Sequence, residues 1–200
     1  MRGQYVLSQT IKTSLKSFFK VAGIHLILFL LGSVGFIVSF HLGALSFIDV
    51  FFYRGLILIL IWALLATAAM LFLKRWRFSA LLDYKDIILL FIAFCCIHVV
   101  FFTHLPVTAD RSVSVFMLGY MADHQDEGFT EKEIEEVFTE KYVKEYQAFA
   151  KRFHEQEISG TIREIENGEY QISERGLSLM KLYEWIADWF NIDNKLIHPS

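Results

Sequence analysis

Residues 21–42, 55–73 and 87–105 of this chain contain no Asp, Glu, Lys or Arg. A helix needs about 20 apolar residues to cross about 30 Å of hydrocarbon. A chain of 200 residues is too small to surround three such helices with a core of its own. The runs therefore predict a membrane protein with three transmembrane α-helices. The first run is too long for the apolar region of a signal peptide, and no small-residue cleavage pattern precedes Gly43, so a retained anchor is expected.

Charge divides the chain. Residues 1–105 carry nine basic and three acidic side chains, and residues 106–200 carry ten basic and nineteen acidic ones. The halves differ by sign, +6 against −9, which predicts two parts in different solvents. Three domains follow: a basic amphipathic segment at 1–20, a transmembrane region at 21–105, and a folded domain at 106–200. The stretch "YVLSQTIKTSLKSFFK" at 5–20 is expected to lie on an anionic inner leaflet. The N-terminal tail and the loop 74–86 hold four Lys or Arg each, while the loop 43–54 holds one, Arg54. The positive-inside rule then places the tail and second loop in the cytoplasm and 106–200 outside it. A re-entrant fourth pass through "ALSFIDVFFY" would reverse that orientation. A bacterial inner membrane is the expected location. Cys95 and Cys96 are adjacent inside the third run, so they read as small packing hydrophobes.

Pro106 is expected to end the third span, because its ring and missing N–H interrupt the helical ladder. Val113, Phe116, Met117, Tyr120 and Met121 then share one helical face, with Asp110 or Ser112 as its cap. Thr130 and Glu133 have capping-box spacing, leading a short helix with Ile134, Val137 and Phe138 inward. A third helix is expected from near Thr139, burying Tyr142, Tyr146, Phe149 and Phe153. "TIREI" and "YQIS" alternate as strands around Asn167-Gly168, a strong two-residue turn. Ser173 should cap a last helix running to about Asn191, with Leu179, Leu182 and Ile186 inward.

This order, carried by "EQEISGTIREIENGEYQISERGLSLM", resembles the winged-helix fold over roughly residues 112–192. The resemblance implies a small α+β domain and, for most of that family, DNA binding. Here the acidic balance opposes it. The third helix alternates Lys and Glu, the turn "REIENGE" has one Arg and three Glu, and a DNA reader needs a basic footprint. No nucleic acid is expected as a partner.

His25, His41, His98 and His104 lie in or beside the apolar runs. They could ligate haem or a metal from facing helices, but none are spaced i, i+4, and no metal or cofactor is expected. "HEQE" at 154–157 lacks the second histidine of a zinc-protease helix. No catalytic residue is assigned. A candidate anion or lipid-headgroup site combines Asp110, Arg111, Ser112 and His104 at headgroup depth. Trp185, Trp189 and Phe190 are candidates for contact with a membrane surface or a partner. The expected function is a membrane-anchored, non-catalytic accessory subunit. It would contact membrane lipids and dock a larger membrane or envelope protein, one that handles lipid-linked substrates. An enzyme subunit with a lipid-phosphate site and a membrane-tethered transcription regulator are the alternatives.

Overall fold

In a computed structural model, residues 2–190, 192, 193, 195, 197 and 198 are described, with side chains from residue 14 onward. The amphipathic reading of 5–13 falls outside the described side chains. The chain divides into two compact units, Met1–Arg111 and Ser112–Ser200.

The first unit is helical. Its elements are α1 (Arg2–His41), α2 (Phe51–Trp76), α3 (Tyr84–His104) and the short α4 (Pro106–Arg111). Three segments are long and apolar enough to cross a membrane: Ser14–His41, Phe51–Trp76 and Tyr84–Arg111. α1 runs from Arg2 through Lys20 to His41 without a break. "ALSFIDVFFY" does not form a fourth pass. Residues 42–47 are turns, with Leu45 at φ 57°, and α2 starts at Phe51. Arg54 belongs to α2 rather than to the loop. Its Nε donates to Ala44 O at 2.8 Å, and its guanidinium lies 5.0 Å from the Phe40 ring centroid.

Pro106 does not end the helical path. It opens α4, where its missing N–H costs nothing, and Ala109 N resumes the ladder to Leu105 O at 2.9 Å. Only Leu105 separates α3 from α4.

Two apolar clusters hold the unit together. One joins Met70, Leu82, Ile87 and Leu90. The other joins Phe36, Leu58, Ile59 and Phe102. Helices approach closely where glycine removes a side chain. A Cβ on Gly55 would come 2.0 Å from the Phe102 ring.

The second unit runs α5 (Val113–Asp123), α6 (Glu131–Val137), a π-helical stretch (Phe138–Glu145), α7 (Ala148–Ile158), β1 (Ile162–Glu164), β2 (Tyr170–Ile172) and α8 (Glu174–Phe190). Ser112 caps α5, its Oγ accepting from Val115 N at 3.3 Å. Asp110 is not the cap but a residue within α4. The predicted buried face of α5 is narrower than its periodicity: Phe116 and Tyr120 are half-buried, whereas Val113, Met117 and Met121 are exposed.

The third helix departs most from expectation. Tyr146 N donates to Lys141 O at 2.8 Å, a bond five residues back that widens the turn. Gln147 then adopts φ 52° and ends the stretch. The widened turn shifts the apolar register, so Tyr146 and Phe149 are 60% and 67% exposed. Phe153 stays half-buried, its ring 4.7 Å from that of Tyr170.

β1 and β2 pair antiparallel, Ile162 with Ile172 and Glu164 with Tyr170. Asn167 and Gly168 take φ 63° and 77°, as the turn requires. Ile165 N donates to Glu169 O at 2.8 Å while Glu169 N reaches Glu166 O at 3.4 Å. Both bonds lie just beyond the strand ends and close the turn. Ser173 caps α8 by accepting from Gly176 N at 3.1 Å and donates to Gly160 O at 2.7 Å. Gly176 is required here, since a Cβ would lie 2.2 Å from Thr161 O. On α8, Leu179 and Ile186 are half-buried but Leu182 is 47% exposed. A two-stranded sheet among helices does not by itself establish a winged helix.

Candidate functional site

α2 packs along both α1 and α3, while α1 and α3 meet along little of their length. A groove opens between them. Its wider part, about 630 Å³, is lined by Val21, His25 and Phe29 of α1 and by Asp86, Leu89 and Ala93 of α3. A narrower part, about 230 Å³, continues past Phe29 and Ile97 to Ser33 and His98. Its walls are almost entirely apolar, so its few polar groups stand out.

His98 is the most enclosed of them, at 5% exposed. Its ring stacks on Phe94 with centroids 3.9 Å apart and lies 5.0 Å from Phe29. Nδ1 faces Phe94 O at 2.9 Å. A carbonyl oxygen only accepts, so Nδ1 carries the hydrogen and donates. Nε2 faces Ser33 Oγ at 3.0 Å, and Ser33 Oγ is also 2.8 Å from Phe29 O. With a neutral ring, the Ser33 hydroxyl donates to Nε2 or to Phe29 O, one at a time. The pair ties the middle of α1 to the middle of α3 with side chains that would be costly to leave unpaired in an apolar setting.

His25 makes the second tie, nearer the start of α3. Nδ1 is 2.9 Å from Val21 O and Nε2 is 3.0 Å from Asp86 O. Both acceptors are main-chain carbonyls, so a neutral ring donates to one of them at a time, within α1 or across to α3, and only a protonated ring would donate to both. The Asp86 carboxylate is already engaged: Oδ2 accepts from Asp83 N at 2.7 Å in the capping box that starts α3.

The residues expected to form an anion site lie at the end of α3, in α4 and at the cap of α5. His104 ends α3, is exposed, and turns Nδ1 to Val100 O at 3.0 Å. Arg111 closes the six-residue α4, where a cation suits the partial negative charge of a helix end. Asp110 and Arg111 both have interaction partners. Ser112 belongs to the second unit, and its hydroxyl is occupied as the cap of α5. Of the aromatic candidates, Trp185, Trp189 and Phe190 are 51%, 68% and 73% exposed. The two indoles lie 4.2 Å apart along one side of α8.

His41 bonds only within its own helix, to Ile37 O at 3.1 Å. Among the described residues no group of three His, Cys, Asp or Glu could hold a metal ion. The ties made by His98 and His25 escaped the sequence reading because each joins residues more than 60 positions apart. The available signal was the presence of Ser and His within charge-free runs. Compared with known proteins, the chain matches no family, no curated protein and no solved structure.

Proposed function

We propose that this chain is an integral protein of a bacterial inner membrane and serves as a non-catalytic accessory subunit. Its N-terminus and its α2–α3 loop face the cytoplasm, and residues 112–200 form a winged-helix-like module outside it. That module docks a larger membrane or envelope protein, one that handles lipid-linked substrates, and binds no nucleic acid.

One observation carries the reading. Ile134 and Ala187 are the only buried hydrophobic residues described in the second unit, while Leu118, Phe149, Trp185, Trp189 and Phe190 are each more than half exposed. A monomeric surface rarely leaves so much apolar area uncovered without a partner. Aromatic residues are also the side chains that most often anchor an interface. The surplus negative charge of this half argues against a polyanionic partner.

The test is co-purification of the full chain from detergent, with and without the paired change Trp185→Ala and Trp189→Ala. A co-purifying chain should be lost from the variant while its melting temperature stays near wild type. Retention of the same partner by the variant would refute this docking surface. A reporter active only outside the cytoplasm, fused at Ser200, should be active. Activity of a cytoplasmic reporter at that site instead would revive the regulator reading.

A further inference from the structure

We infer that a pocket at the C-terminal end of α2 binds an anionic phospholipid, with Lys74 and Arg75 holding the headgroup phosphate and an acyl chain laid along Ala68, Leu71 and Phe72. This rests on the membrane-spanning reading above and adds to it a lipid class and a place.

The pocket holds about 400 Å³ and is lined by Ala68, Leu71, Phe72, Lys74, Arg75 and Tyr84. Helical spacing accounts for that lining. Ala68, Leu71, Phe72 and Arg75 fall at i, i+3, i+4 and i+7, one face of α2, and Lys74 follows Leu71 by three. The face turns outward: these four residues are exposed, whereas Ala63, Ala66 and Met70 on the opposite side are buried. Apolar side chains end at Phe72 on this face, and cations begin one turn later.

The ammonium of Lys74 is held in place. It donates to Leu82 O and lies 4.8 Å from the Tyr84 ring centroid. An ammonium has three N–H bonds, so donors remain for an anion. Arg75 beside it offers a planar fork that fits two phosphate oxygens. Competing carboxylates are few. The loop 74–86 holds four Lys or Arg and two Asp, and both Asp83 and Asp86 belong to the capping box that starts α3. Trp76 marks the depth. It is 74% exposed, its ring is 5.7 Å from that of Phe72, and tryptophan concentrates where hydrocarbon meets headgroups. An apolar helix of a partner would cover the same face and leave two adjacent cations unmatched. A phosphate carried on a hydrocarbon chain matches both parts.

The experiment uses the full chain in mixed micelles with equimolar dioleoylphosphatidylglycerol and dioleoylphosphatidylcholine. Retained lipid is counted by native mass spectrometry. Two cations at a headgroup are worth about thirtyfold in affinity, so the wild type should retain the glycerol lipid over the choline one by at least about tenfold. The double change Lys74→Ala and Arg75→Ala should bring the ratio close to one. Arg75→Ala alone keeps the Lys74 tie to Leu82, so it tests the site even if the double variant misfolds, and it should cost about fivefold. Arg75→Lys should restore most of that loss. Lys16→Ala with Lys20→Ala removes two exposed charges of the same sign from α1 and should leave the ratio unchanged. Ala68→Phe fills the pocket from an exposed position and should lose both lipids with melting near wild type.

Equal retention of the two lipids by wild type would overturn the inference. So would an equal loss from the Lys16 and Lys20 pair, which would reduce the effect to general surface charge, or full retention by a folded Ala68→Phe. Displacement of the lipid by inorganic phosphate alone would also overturn it, because the acyl chain would then add nothing. Alkaline carbonate washing of membranes separates the two readings. A chain washed out refutes membrane spanning, whereas a chain that stays but shows no lipid preference refutes only the pocket.

Discussion

The two units of this molecule are held together by opposite means. Residues 1–111 bury large apolar side chains, with Phe94, Phe102, Met70 and Leu82 fully enclosed, and three of their glycines admit an aromatic ring against the helix backbone. Residues 112–200 enclose little. Among the described residues their buried polar ones are Glu155 and Thr161. Arg152 grips the Glu155 carboxylate at 2.8 and 2.6 Å, and Thr161 Oγ1 donates to Gln156 at 2.7 Å. Caps, turns and local polar bonds define this second unit. The first unit is apolar inside and outside, which suits hydrocarbon as solvent. The second has polar contacts inside and aromatic rings outside, which suits a chain that completes its burial against something else.

Steric contrast between glycines should break this comparison most sharply. Gly55→Leu forces atoms into the Phe102 ring, which a Cβ alone would approach to 2.0 Å. Overpacking of this kind costs about 1–3 kcal/mol and sometimes more, so detergent melting should fall steeply and folded yield with it. Gly119→Ala in α5 adds a Cβ with nothing within 4 Å, and should stabilise by about 0.4–1 kcal/mol through helix propensity and the unfolded chain. Similar costs at both positions would erase the distinction between a close-packed and an open unit.

Gly176→Ala is the next largest. Its Cβ would meet a backbone oxygen, Thr161 O at 2.2 Å, and Ile172 Cγ1 at 2.7 Å. A loss of about 2 kcal/mol is expected for the second unit, read from its own thermal transition. The Ser33–His98 pair comes third. Ser33→Ala strands a histidine nitrogen in the groove, and should cost about 1–2 kcal/mol. The double change Ser33→Ala with His98→Phe removes both partners and should cost less than the single one. A double-mutant cycle with no coupling would mean that the bond contributes nothing to the helix pairing.

These sites mark where the sequence was readable and where it was not. Absence of charge made all three apolar helices visible, and local spacing made the Thr130–Glu133 box, the Asn167-Gly168 turn and the Ser173 cap visible. Each of those features is complete within a few residues. Pro106 misled because one residue, Leu105, was enough to restart the helix on the far side of the interruption. Tyr146 and Phe149 misled because a single bond from Tyr146 N to Lys141 O changes the turn on which any helical face is projected. The groove was invisible for another reason. In runs where every residue is apolar, no period marks the face of α1 that meets α3. The one clue, His25 or His98 in such a run, does not name its partner.

The smallest effect expected tests whether local polar bonds hold the second unit. Thr130 N and Thr130 Oγ1 donate to Glu133 Oε2 at 2.7 and 2.8 Å. The backbone bond, then the hydroxyl bond, holds the Glu133 carboxyl below its usual range. A carboxyl lowered on folding contributes stability that is fully present above its unfolded value and is lost as pH falls through the folded one. The second unit's melting temperature should therefore decline slightly as pH drops below about 4.3, the ordinary glutamate value. Glu133→Gln keeps an acceptor for Thr130 N but removes the charge, so it should lower stability at neutral pH and flatten that acid limb. Thr130→Ala removes the hydroxyl that Glu133 N also uses at 3.3 Å, and should lower the melting temperature at every pH. An acid limb unchanged by Glu133→Gln would assign the pH dependence to other carboxylates.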